Sequence, residues 1–96
     1  MSDQQKKTRA RVIVSGKVQG VFFRAETERA ARQRDLPGWV KNRPDKTVEA
    51  EFEGDKDKVD SMINWLRAGS PLSHVEEVKI TWKNYKGDFR KFDIRY

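Results

Sequence analysis

From Val48 to Glu53 every second residue is apolar and every residue between is a glutamate: Val48, Ala50 and Phe52 against Glu49, Glu51 and Glu53. A repeat of two belongs to a strand with one apolar and one acidic face, because a helix would scatter those residues around its axis. The stretch therefore demands a sheet with one buried side. Before it, Trp39-Val40-Lys41 gives a second strand, and Arg43-Pro44-Asp45-Lys46 has Pro and Asp where a turn wants them, so the pair reads as a hairpin. The same alternation recurs three times. Ala10, Val12 and Val14 alternate with Arg9, Arg11, Ile13 and Ser15. Val78, Ile80 and Trp82 form a fourth strand, and Phe92, Ile94 and Tyr96 a last one at the C-terminus.

Two segments change the period. Phe23 to Arg34 is dominated by Ala, Glu and Arg, which favour helix, and Leu36-Pro37-Gly38 closes it. Lys56 to Ala68 sets Val59, Met62, Ile63 and Leu66 on one helical face, with Asp55 placed to cap its start and Gly69-Ser70-Pro71 to end it. The order is β-α-β-β-α-β with one further terminal strand. That order predicts an α+β, ferredoxin-like βαββαβ sandwich: an antiparallel sheet of four to five strands with two helices on one face. With 96 residues there is room for one core. Residues 1–8, polar and lysine-rich, read as a disordered lead-in, and 9–96 as a single domain.

Composition removes several chemistries. There are no cysteines and one histidine, His74, so disulfides, thiolate nucleophiles and multi-histidine metal sites are out. No apolar run approaches the roughly 20 residues of a membrane helix, and residues 1–11 lack the apolar segment of a secretion signal. A soluble cytoplasmic domain is expected. The net charge of +6 gathers at the ends: four basic and one acidic residue in 1–11, five basic and two acidic in 83–96. Such a field attracts anions, and equally serves solubility.

The most informative stretch is Gly16-Lys17-Val18-Gln19-Gly20-Val21-Phe22-Phe23-Arg24, joining a strand end to a helix start. The first amides of a helix have no internal partners and sit at the positive end of its dipole. A glycine loop there lets the backbone approach an anion closely, and Arg24 in the first turn can add a two-pronged hydrogen bond to phosphate oxygens. Phe22 and Phe23 would anchor the loop in the core. The stretch is not a Walker A loop, since Val21 and Phe22 stand where that motif needs Lys and Ser or Thr. By spacing alone a plain turn fits as well, with Arg24 paired to Glu28 one helical turn on.

Gly16 to Arg24 resembles the first signature of the acylphosphatase family. Gly38-Trp39-Val40-Lys41-Asn42, continued through Val48 to Gly54, resembles its second. The two lie in the right order, and the resemblance covers about residues 9–96. It implies hydrolysis of the carboxyl–phosphate bond of acyl phosphates, with no metal and no organic cofactor. It implies that Arg24, with the backbone amides of Gln19, Gly20, Val21, Phe22 and Phe23, holds the phosphoryl group, and that Asn42 orients the attacking water. By itself Asn42 reads as a polar residue before a turn, bonded to nearby backbone, and it is the first signature beside it that turns the reading to catalysis. The expected partners are a small acyl phosphate and inorganic phosphate or similar anions. No nucleic acid or membrane partner is expected, and the chain reads as a free-standing monomer.

One departure is Lys46, where the family's second signature has glycine. A turn of this kind puts that residue at positive φ, at a cost to lysine of about 1–2 kcal/mol. Two other readings compete. One is a non-catalytic accessory domain of the same fold. The other is an RRM-like nucleic-acid-binding module, suggested by Lys86-Gly87-Asp88-Phe89-Arg90-Lys91-Phe92, although Asp88 and Arg90 break that motif. The C-terminal strand would bring Tyr96 and its carboxylate near the active loop.

Overall fold

The computed structural model describes residues 6–96. Seven elements follow in order: β1 (Lys7–Lys17), α1 (Phe23–Gln33), β2 (Gly38–Asn42), β3 (Val48–Asp55), α2 (Lys56–Ala68), β4 (His74–Lys83) and β5 (Phe92–Arg95). They form one five-stranded sheet of order β4-β1-β3-β2-β5. β3 is central, and β1 lies between β3 and β4, antiparallel to both. The expected sheet was antiparallel throughout, and here the structure differs: β5 runs parallel to β2, Phe92 beside Gly38 and Ile94 beside Val40. The chain reaches β5 from β4 at the opposite edge, so it crosses the whole sheet and arrives in the direction of β2. Of the expected lead-in, residues 1–5 lie outside the described residues, while Lys7 and Thr8 already pair with Asp55 and Gly54.

Both helices cover one face, α1 over β2 and β5, α2 over β1, β3 and β4. Beneath them Val12, Val14, Val48, Ala50 and Phe52 are fully buried with Val59, Met62 and Leu66 of α2. α1 ends before the expected proline: Asp35 takes a left-handed conformation (φ 54°), Leu36 N–H reaches the Ala31 carbonyl and Asp35 N–H the Arg32 carbonyl. This is a Schellman ending, with Asp in the place usually held by Gly. Asp55 does stand at the start of α2, but its carboxylate accepts from Lys7 Nζ (2.9 Å) rather than from the helix amides.

The acidic face of β3 is not open to solvent. Glu49, Glu51 and Glu53 are 7, 5 and 1% exposed. The Arg9 guanidinium donates to Glu51 (2.6 Å), Glu53 (3.2 Å) and Asp88 (2.7 Å), and Arg11 donates to Glu49. Residues 84–91 connect β4 to β5 without regular structure and lie over this face. The Lys86 amide donates to Glu53 (3.0 Å), and the Phe89 ring lies 4.0 Å from the Arg9 guanidinium carbon. The stretch with a superficial RRM likeness is thus mostly this connection, and only Phe92 of it enters a strand.

The network has a pH signature. Burial pushes the Glu51 carboxyl up, but its bonds to Arg9 and Lys83 outweigh this and hold it below its ordinary value. The Arg9 bond holds Asp88 down as well. A carboxyl lowered by folding contributes stability above its unfolded value, near ~4, and loses it as pH falls through the folded one. Melting temperature should therefore fall as pH drops from about 5 towards 2. Asp88→Asn should melt lower at neutral pH and show a flatter acid limb; equal slopes for variant and wild type would contradict this.

Candidate active site

The loop and the helix start of the glycine stretch line one cavity of about 350 Å³, together with Asn42, Ile94 and Tyr96. Gly16 permits the loop to leave the sheet. It sits at a register shift between β1 and β4, and a Cβ there would lie 2.2 Å from the His74 carbonyl oxygen. Gly20 (φ 75°) has a different role: a Cβ would meet nothing within 4 Å, so its left-handed backbone, rather than crowding, favours glycine.

The loop enters α1 through two phenylalanines with opposite fates. Phe23 is buried, 1% exposed, with its ring 5.9 Å from that of Trp65 on α2. Burying such a ring contributes roughly 1.5–3 kcal/mol and pins the first turn of the helix. Phe22, expected in the core as well, is instead 74% exposed. Its backbone is left-handed (φ 60°, ψ 22°), which turns the chain into the helix and points its side chain away from the sheet. That conformation costs a non-glycine residue about 1–2 kcal/mol. Among the described residues none of the amides from Gln19 to Phe23 donates a hydrogen bond, and the helix start has no side-chain cap. The result is a run of unpartnered N–H groups beside the cavity.

Arg24 follows in the first helical turn. The alternative pairing with Glu28 does not occur, because Glu28 pairs with Arg32 at 3.0 Å. Among the described residues Arg24 meets no carboxylate. Its Nη1 lies 3.5 Å from the Arg95 carbonyl, and its guanidinium carbon lies 4.7 Å from the centre of the Tyr96 ring. The C-terminal residue thus comes to the loop, as expected, with its ring against Arg24.

Asn42 closes β2 opposite Val48 and lines the same cavity. Its side-chain oxygen is buried and has no hydrogen-bond partner among the described residues. A buried acceptor left so costs roughly 1–3 kcal/mol, a strain that functional positions tolerate. Asn42 is held near the loop by a side chain whose reach the sequence did not reveal. Gln19 Nε2 donates to the carbonyls of Arg43 (2.9 Å) and Thr47 (2.8 Å), stapling the amide loop to the β2–β3 turn. The sequence points to Gln19 only through its backbone amide. His74 is exposed at the start of β4, away from the cavity, and among the described residues no three His, Cys, Asp or Glu gather as a metal site.

The acylphosphatase family model matches residues 10–94. The chain belongs to the acylphosphatase family. An acylphosphatase from Syntrophobacter fumaroxidans is 50% identical over 90 residues, covering 94% of this chain and 93% of its own. The crystal structure of acylphosphatase from Bacillus subtilis superposes with a TM-score of 0.89 at 38% identity, covering 93% of this chain and 99% of that one. An acylphosphatase from Coxiella burnetii gives 0.89 at 35% identity, over 99% of this chain and all of that one. Acyl phosphate hydrolysis is accordingly the activity of this enzyme.

Lys46, the departure from the acylphosphatase signature, has φ 74°, as the turn requires. Its amide donates to Arg43 O (3.1 Å), and Arg43 N–H in turn bonds Thr47 O (2.9 Å), so the turn keeps its shape at the expense of strain. Lys46→Gly should relieve about 1 kcal/mol and raise the melting temperature by about 4 °C or more. Activity should stay nearly unchanged, because the Gln19 staple and the Asn42 position remain. A lower melting temperature would show that lysine is at ease there.

Proposed function

We propose that the cavity performs in-line hydrolysis of an acyl phosphate, with each group acting in one place. Arg24 and the backbone amides of Gln19, Gly20, Val21, Phe22 and Phe23 hold the phosphoryl oxygens. Asn42 accepts a hydrogen bond from the attacking water through its unpartnered side-chain oxygen and so fixes the direction of attack. The water oxygen bonds to phosphorus as the bond to the carboxyl oxygen breaks. The electron pair leaves with the carboxylate, and the water's protons end on the phosphate product.

The substrate's chemistry explains how little is needed. An acyl phosphate is a mixed anhydride, and its leaving group is the anion of an acid with a pKa near ~4–5. It departs without a general acid. Asn42 is neutral and is no base, so its contribution is placement. What remains is positioning and electrostatic stabilisation by donors fixed before the substrate arrives. No metal or cofactor enters this scheme. Inorganic phosphate, as product, would bind the same donors, and the enzyme would work as a cytoplasmic monomer.

The observation that supports this reading most directly is the meeting of an arginine without a carboxylate partner and an asparagine oxygen without a donor in one cavity. The test is hydrolysis of benzoyl phosphate with a chelator present, by wild type, Arg24→Gln and Asn42→Ala, each checked for folding by circular dichroism. Wild type should turn over unaffected by chelator, and each variant should lose about 100-fold or more in kcat. Full activity in a folded Asn42→Ala enzyme would remove Asn42 from the mechanism.

A further inference from the structure

The cavity has an apolar mouth that phosphoryl binding leaves unused. Five large apolar side chains are exposed among the described residues, and two of them, Phe22 (74%) and Tyr96 (97%), line this one cavity. Neither is explained by packing. Phe22 occupies a left-handed position that glycine or asparagine fills with less strain, and its ring gains no burial in return. Tyr96 is the last residue, beyond β5, and its ring lies 4.7 Å from the Arg24 guanidinium carbon. Ala25 and Ile94 add small apolar surface to the same lining.

We propose that Phe22 and Tyr96 form an acyl-group subsite that favours acyl phosphates whose acyl portion carries an aromatic ring. This rests on the reading above, in which Arg24 holds the phosphoryl end. The geometry of the substrate then leaves little choice. One bridging oxygen separates phosphorus from the acyl carbon, so a phosphoryl group on Arg24 puts the acyl group within the same cavity. There it meets two exposed aromatic faces. A flat ring stacks on such faces in offset or edge-to-face fashion, whereas an acetyl group is too small to cover them. Tyr96 carries a second consequence: its ring stays on Arg24, so acyl recognition and phosphoryl binding share one wall.

The test compares kcat/KM for benzoyl phosphate and acetyl phosphate in wild type, Phe22→Asn, Tyr96→Leu and Tyr96→Phe. Asparagine adopts the left-handed backbone readily, so Phe22→Asn removes the ring while keeping the turn, and Tyr96→Leu changes an exposed terminal residue. The benzoyl-to-acetyl ratio should fall about three- to tenfold in Phe22→Asn and in Tyr96→Leu, through a higher KM for benzoyl phosphate. Tyr96→Phe, which keeps the ring, should retain the wild-type ratio. Inhibition offers a check that needs no turnover: phenylphosphonate should inhibit wild type more strongly than methylphosphonate, and lose that advantage in the same two variants. A ratio and an inhibitor preference unchanged in both ring-deleted variants would overturn the subsite and leave the acyl phosphatase reading intact. A folded wild type that hydrolyses neither substrate would overturn both.

Discussion

Burial of the Phe23 ring against Trp65 decides where α1 begins, and the site hangs on that point. With Phe23 fixed, Phe22 must make the turn in a left-handed backbone, the amides before it run along the cavity wall, and Arg24 emerges one residue later. The helices and sheet supply the anchor, and the loop inherits its shape. The second half of the site arrives on the β2–β3 hairpin, and Gln19 joins the halves by two hydrogen bonds to that turn. Two contacts, one apolar and one polar, thus hold the groups of the cavity in register.

The face away from the helices contributes to the same end. Arg9, Glu51, Glu53 and Asp88 hold residues 84–91 against the sheet, and those residues deliver β5 beside β2. β5 in turn carries the Arg95 carbonyl and Tyr96 to Arg24. A buried ion pair yields little net stability once desolvation is counted, but removing one partner is costly. Its effect here is to tie the connection that crosses the sheet from β4 to β5 to named partners on β1 and β3.

Much of the fold was legible because its signals are local. The alternation of β3 and the helical spacing of Val59, Met62, Ile63 and Leu66 each identify an element from its own residues, and α2 spans Lys56–Ala68 as expected. What escaped depends on partners far along the chain. The parallel arrival of β5, the burial of Glu49, Glu51 and Glu53, and the diversion of Asp55 to Lys7 are contacts across tens of residues, with no local trace. The site divides the same way. The Gly16–Arg24 and Gly38–Gly54 stretches marked its place through their likeness to family signatures, and the structure brings Arg24 and Asn42 to one cavity. The sequence could not show that adjacent phenylalanines part company, because a single left-handed residue reverses which side chain faces the core. Nor could it show the reach of the Gln19 amide.

The strand order also governs how copies of the chain meet in concentrated solution. Among the described residues a sheet of order β4-β1-β3-β2-β5 has two free edges, and the longer is the ten-residue β4. Unpaired strands of that length are templates for intermolecular sheet growth. This one carries Glu76, Glu77, Lys79 and Lys83, and its pairing with β1 is interrupted by the irregularity at Ser15 and Gly16. A strand arriving from another molecule must strip water from these charges and fit a ladder that changes register. The other edge, β5, spans only four residues. The topology that assembles the cavity therefore leaves the borders of the sheet poorly suited to fibrillar assembly, a protection encoded in charge and irregularity rather than in added bulk.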